Sequence, residues 1–242
     1  MISEVSVIFQ VTATADHALR YARDLASLLH VNLTVFVDSW LGTDEKERIA
    51  RAVVERVDGE GIVYKPLRAL RMPMGSSVCN LVVTNTPSQC AEFSCVMPHN
   101  ETQVSRSEKG EIMIPFGDGR SGIRAASLGI PLARQLGYSV FLWHTTWRDE
   151  RVFSADPYAH MCAEARTVFS ILKEACVQER VPYRIGIDMA DSIPGGIVRI
   201  ALREHMSLIC MARGANTGKG SYVDLVSART PTPLVIVGGE VQ

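Results

Sequence analysis

The feature that most constrains this chain is a long-range internal repeat. Shifted by 107 residues, the sequence matches itself without gaps near two starts, Val5-Ser-Val-Ile-Phe-Gln10 falling on Ile112-Met-Ile-Pro-Phe-Gly117. Further along, Leu25-Ala26 falls on Leu132-Ala133, Leu29 on Leu136, and Leu33-Thr-Val-Phe36 on Val140-Phe-Leu-Trp143. Each copy reads as a short apolar strand, a polar turn, an amphipathic helix and a second apolar strand. Solenoid units repeat every 20–50 residues or so, and a repeat of this length is a duplicated domain instead.

Between the copies, residues 99–110 (HNETQVSRSEKG) are polar and carry no helical period, as a linker would. The expected boundary lies near residue 108, giving domains over 1–107 and 108–242. The chain's 242 residues suit two such units, since domains commonly run to roughly 100–150 residues. Lys plus Arg is 25 and Asp plus Glu is 26, which argues against a dedicated nucleic-acid binder. Cut at 108/109, the first part holds 13 acids and 10 bases and the second 13 acids and 15 bases, so neither charge names a partner. No run approaches the ~18 apolar residues of a membrane span, and no signal peptide pattern opens the sequence. Cysteines 79, 90, 95, 162, 176 and 210 form no Cys-x-x-Cys pair. Cys90, Cys95 and His99 fall short of four zinc ligands, so scattered reduced thiols are expected. We therefore expect a soluble, cytoplasmic protein with no membrane or nucleic-acid partner.

The second copy is the more legible. Glu111 to Phe116 is an unbroken apolar strand, and residues 117–122 (GDGRSG) form its turn. Ile123 to Leu136 has helical spacing, with Gly137 as its stop and Pro131 inside, where it should bend the helix. Tyr138 to Thr145 is a strand, and Met161, Ala165, Val168, Leu172 and Cys176 keep helical spacing. Tyr183 to Met189 is a strand, Ile197 to Glu204 helical, and Ser207 to Met211 a strand. Ser221 to Ala228 is a helix and Pro233 to Val237 the last strand. This alternation predicts right-handed crossovers and a parallel sheet covered on both faces. Ligands bind such sheets at the carboxyl ends of the strands, which puts the turns after Phe116, Thr145 and Met211 around one site.

Residues 208–214 (LICMARG) and 220–237 (GSYVDLVSARTPTPLVIV) then resemble the universal stress protein family, as do Ile114-Pro115-Phe116 and Leu142-Trp143-His144. The resemblance covers 111–238 and 4–38 and fades between 39 and 105. It implies an α/β fold of two tandem doubly wound parallel-sheet domains, Rossmann-like and of the adenine-nucleotide α-hydrolase type, the first degenerate. Nucleotide-binding members carry a Gly-x2-Gly-x9-Gly-Ser/Thr loop, whose glycines let the backbone wrap phosphates before a helix N-terminus. Here the first glycine falls on Ala212, the second on Gly214 and the Gly-Ser pair on Gly220-Ser221. Five residues separate Gly214 from Gly220, four fewer than the family pattern, with Gly218 and Lys219 among them. The family's nucleotide-holding Asp falls on Gly117, with Asp118 one place later. Thr145 and Met211 would line the adenine pocket, and Tyr222 would stack on a base or fill the pocket. In the first copy Gln10 takes the Asp position and no glycine-rich loop follows residues 81–85, so no phosphate site is expected there. Its implied role is structural, pairing against the second copy.

Each signal has a plainer reading. Gly214 to Ser221 also suits a tight turn with Ser221 as an ordinary N-cap, and Asp118 suits a turn residue. His144 and Trp143 read as core. Arg199, Arg203 and Arg213, like Lys65, Arg68 and Arg71, read as solvent-facing. No Ser-His-Asp order, His-Glu-x-x-His or Gly-x-Ser-x-Gly motif is present. The leading expectation is a binding and signalling module of stress response, not a turnover enzyme, with a weakened ATP or AMP site, Mg included, at Gly214, Gly220 and Ser221. The alternatives are a non-nucleotide interaction or dimerisation module, and a slow nucleotide hydrolase or transferase in which Asp118 would hold the metal. The last strand, Leu234 to Val237, should pair either inside the chain or across a homodimer.

Overall fold

The strands of the two repeats meet in one sheet. The computed structural model describes residues 2–9, 15–37, 62–66, 79–84, 94–98, 110–117, 119–147, 161–213 and 221–237. The first repeat contributes β1 (Ile2–Phe9), α1 (Ala15–Leu29), β2 (Asn32–Val37), β3 (Ile62–Pro66), β4 (Cys79–Val83) and β5 (Cys95–Met97). The second contributes β6 (Glu111–Phe116), α2 (Arg120–Leu136), β7 (Ser139–Trp147), α3 (Ala163–Gln178), β8 (Tyr183–Ala190), α4 (Ile193–Arg203), β9 (Leu208–Ala212), α5 (Tyr222–Ser227) and β10 (Leu234–Val237). Their order across the sheet is β3-β2-β1-β4-β5-β10-β9-β6-β7-β8, the same five-strand order run outward from the middle in both directions.

Register shows how deep the repeat goes. Val5 lies opposite Leu33 and Ile112 opposite Val140, so the shift of 107 holds for β1 and β2. Equivalent pairs put the shift at 121 for β3, 127 for β4 and 139 for β5. The first repeat is thus shorter by 14, 6 and 12 residues at its three later connections. The last deficit leaves the β4–β5 connection 12 residues shorter than the β9–β10 connection, and its sequence carries no glycine-rich motif.

Every strand pair is parallel except β5 with β10, where Met97, Val96 and Cys95 face Leu234, Val235 and Ile236. Under the shift of 139 these three pairs are two-fold symmetric about Val96 and Val235. β10 has β5 on one side and β9 on the other, so the last strand finds its partner inside the chain and has no free side for a homodimer.

Period explains the helices. α1 buries Leu19, Ala22, Leu25, Ala26 and Leu29 on one stripe. α2 starts at Arg120, three residues before the expected Ile123, and runs through Pro131 to Leu136. Gly137 ends it with φ +70°, the left-handed conformation glycine adopts without strain. α1, α2 and α3 cover one face with Leu81, Ile114 and Leu142 beneath them, while α4 and α5 cover the other over Met113, Phe141, Trp143 and Ile209. The Gln135 side chain on α2 grips the backbone of Ile2, accepting from its N–H (2.9 Å) and donating to its carbonyl (3.1 Å), which ties the repeats together.

Candidate functional site

Strand order reverses at β6: the chain goes to β7 on one side and returns to β9 on the other. In open α/β sheets a crevice forms at such a point. Here its cause can be named. Glu111 turns its backbone groups toward β9, accepting from Ser207 N (3.0 Å) and donating to Ser207 Oγ (3.3 Å). By the alternation of a strand, Met113 and Pro115 face the same way. β6 pairs with β9 only at Ile112 and Met113, although it pairs with β7 through to Phe116. The next rung would need an N–H from Pro115, which has none. The two strands therefore lose their ladder toward their carboxyl ends.

The residues around this gap come from three strand ends. Gly117 follows β6, and a Cβ placed on it would meet nothing within 4 Å. Thr145 lies near the end of β7, one residue beyond the pairing of Phe116 with His144. Among the described residues its Oγ1 is buried without a hydrogen-bond partner. Met211 and Ala212 close β9 and are 8% and 7% exposed. α2 begins after Gly117 with Gly119 as N-cap, which has no side chain to cap the first-turn N–H groups. It lies close on the sheet because Gly122 and Gly129 leave room for Phe116 Cβ, Ile114 Cδ1 and Cys210 Sγ.

Of the remaining expected residues, Ser221 and Tyr222 are described. Ser221 caps α5, its Oγ accepting from Val223 N at 3.2 Å, which agrees with the plainer reading of that serine. Tyr222 is 49% exposed on α5. Asp118, Gly214, Gly218 and Gly220 lie outside the described residues, as do Lys219, Arg68, Arg71, Cys90, His99 and Gln10. His144 is a core histidine: Nδ1 donates to the Phe116 carbonyl at 2.9 Å, and its ring lies 5.2 Å from that of Phe116.

The arginines read as solvent-facing each meet a carboxylate: Arg199 with Asp188 at 2.7 Å, Arg203 with Glu204 at 3.0 Å and Arg213 with Asp224 at 3.1 Å. Arg213 sits at the root of the shortened loop, where Arg124 Nη1 donates to its carbonyl at 3.1 Å. Sequence reading passed over Arg124 and Pro115, since only tertiary contact gives either a role. Among the described residues no group of His, Cys, Asp or Glu could hold a metal ion, and no helix is long and apolar enough to cross a membrane.

No protein-family model matches the sequence, and no curated protein matches it. Solved structures do. A universal stress protein from Archaeoglobus fulgidus DSM 4304 superposes with a TM-score of 0.68 at 11% identity, over 97% of this chain and 98% of that one. A putative universal stress protein from Pseudomonas aeruginosa UCBPP-PA14 gives 0.56 at 13% identity, over 98% and 93%. A functionally unknown protein from Pseudomonas aeruginosa PAO1 gives 0.57 at 12%, over 99% and 93%. Identities this low speak to architecture alone, and the architecture of this chain, two Rossmann-like α/β repeats joined in one sheet, is that of the universal stress proteins.

Proposed function

We propose that this chain is a binding and signalling module of the stress-response kind, acting in the cytoplasm, whose second repeat takes an adenine nucleotide, ATP or AMP, at the carboxyl ends of β6, β7 and β9. The supporting observation is the buried Thr145 hydroxyl, without a partner among the described residues, near the carboxyl end of β7 and next to β6, which parts from β9 after Met113. A buried hydroxyl without a partner costs about 1–3 kcal/mol, and a ligand that bonds it recovers that cost. In this reading the base lies against Thr145, Met211 and Ala212. The phosphates lie against Gly214, Gly218, Gly220 and Ser221, and Asp118, beside Gly117, meets the ribose or a phosphate-bound Mg²⁺. The first repeat, 1–107, supports the second, 108–242, and takes no nucleotide. Thermal unfolding with Mg-ATP and with AMP tests this. A rise in melting temperature that Gly220→Val abolishes is expected, and no shift with either nucleotide would refute it.

A second reading, an interaction module that binds no nucleotide, draws on the Ser221 hydroxyl being engaged as a helix cap and on Ala212 standing where the family pattern has glycine. Native mass spectrometry separates the two: co-purified nucleotide argues for the first, and a bare chain with protein partners for the second.

A further inference from the structure

Beyond Met113 and Ile209 no ladder joins β6 to β9, and α2 spans the two strands. Its Gly122 rests on Phe116, the last residue of β6, where an added Cβ would stand 2.7 Å from Phe116 Cβ. Its next turns rest on β9. Cys210 Sγ donates to the Ala125 carbonyl at 3.3 Å, and a Cβ on Gly129 would stand 3.1 Å from the same sulfur. Between these two seats the part-buried Arg124 side chain leaves the helix. Its Nη1 donates to the Arg213 carbonyl at 3.1 Å, one residue beyond the end of β9. A hydrogen bond from a charged donor is roughly twice as strong as a neutral one. Arg213 is held at two further points, its N–H donating to the Val237 carbonyl at 3.1 Å and its Nη2 meeting Asp224 at 3.1 Å.

The first repeat offers a comparison. Its β1–β4 ladder runs one rung further, through Val7 opposite Val83, which the shifts of 107 and 127 make the counterparts of Ile114 and Cys210. The counterpart of Arg124 in α1 is His17. The arginine therefore stands in the repeat whose ladder is the shorter.

We propose that Arg124 is a positioning residue of the nucleotide site. By holding the Arg213 carbonyl it keeps the end of β9, and with it Met211 and Ala212, in place opposite Gly117 and Thr145 where the strands have parted. It acts through the backbone of Arg213 and not by touching the ligand. The inference rests on the second repeat taking an adenine nucleotide, and it adds that affinity there is set in part by a side chain of α2.

Titration calorimetry with AMP and with Mg-ATP, at a temperature where every variant is folded, tests it. Arg124→Met removes the donor at similar side-chain length and should weaken both nucleotides about tenfold. Arg124→Lys restores a cationic donor and should recover most of that loss. Arg134→Met, which takes from the far end of α2 an arginine ion-paired with Glu179 at 2.8 Å, should bind as the parent does. Hydrogen exchange of the nucleotide-free proteins reads the contact itself: the Arg213 amide should exchange faster in Arg124→Met than in the parent. A parent that binds neither nucleotide refutes the proposed function and this inference with it. Three results overturn this inference alone: an Arg124→Met protein that binds as tightly as the parent, even if it melts lower; a loss that Arg124→Lys leaves unrepaired; or an Arg213 amide whose exchange is unchanged.

Discussion

Gly186 lies in the middle of β8, and a methyl group there has no space to occupy. A Cβ on its backbone would stand 2.5 Å from Phe141 Cζ, 2.6 Å from Cε2 and 3.1 Å from Trp143 Cδ1. Both rings are buried, and the Arg184 guanidinium further restrains Phe141 from 3.8 Å above the ring centroid. Gly186→Ala must therefore push a packed ring aside or bend β8 away from β7. Overpacking of this sort costs about 1–3 kcal/mol. Replacing a strand glycine by alanine returns about 0.5–1 kcal/mol of backbone entropy. The net expectation is a loss of about 1–2 kcal/mol, which in a chain of this length lowers Tm by roughly 2–8 °C. Circular dichroism melts read this directly. Gly195→Ala in α4 is the control, because its Cβ would meet only Ser192 Oγ at 3.4 Å and Cβ at 3.6 Å, and it should hold or raise Tm. A Gly186→Ala protein that melts at or above the parent would refute the close-approach reasoning.

Thr145→Val removes the unpartnered hydroxyl, so it should raise the melting temperature without ligand and shrink the shift produced by Mg-ATP; both are read in the same melts. Burial pushes the Cys176 thiol up to about 11 and the Cys210 thiol up to about 12, whereas Cys162 is exposed. Alkylation at pH ~8 with peptide mapping should therefore label Cys162 and spare Cys176 and Cys210 until the protein unfolds, since at most about one thiol in a thousand is ionised at either buried site. Hydrogen bonding from Arg203, aided by the charge of Arg184, lowers the Glu204 carboxyl below its ordinary value. A lowered carboxyl contributes stability above its unfolded pKa that is lost as pH falls through the folded one. Glu204→Gln should accordingly flatten the loss of stability below pH ~4.3, measured by urea titration across that range.

The second repeat was legible because its signals are local. The apolar run 111–116, the glycine stop at 137 and the cap at Ser221 each act within a few residues, and each element formed within about four residues of its expected bounds. β3 and β5 of the first repeat were not read, for they are five and three residues long and the resemblance fades there. A strand that short carries too few alternations to stand out from a loop; its neighbours define it, β2 for β3, and β4 and β10 for β5. In the crevice, Gly117, Thr145 and Met211 could be named from the strand ends. Pro115 could not be assigned its role, because its missing donor matters only once β9 is known to lie on that side.

The sequence by itself determined the duplication, the alternation of strand and helix in the second repeat, and the common register of β1–β2 and β6–β7, since a shift of 107 fixes which residues are equivalent. Whether the last strands would meet inside the chain and where β6 would part from β9 were decided by tertiary structure. Backbone pairing is blind to side-chain identity over long separations. Any apolar edge could satisfy β10; the packing of α1 against α2, with Gln135 gripping Ile2, joins the two repeats whose β5 and β10 pair.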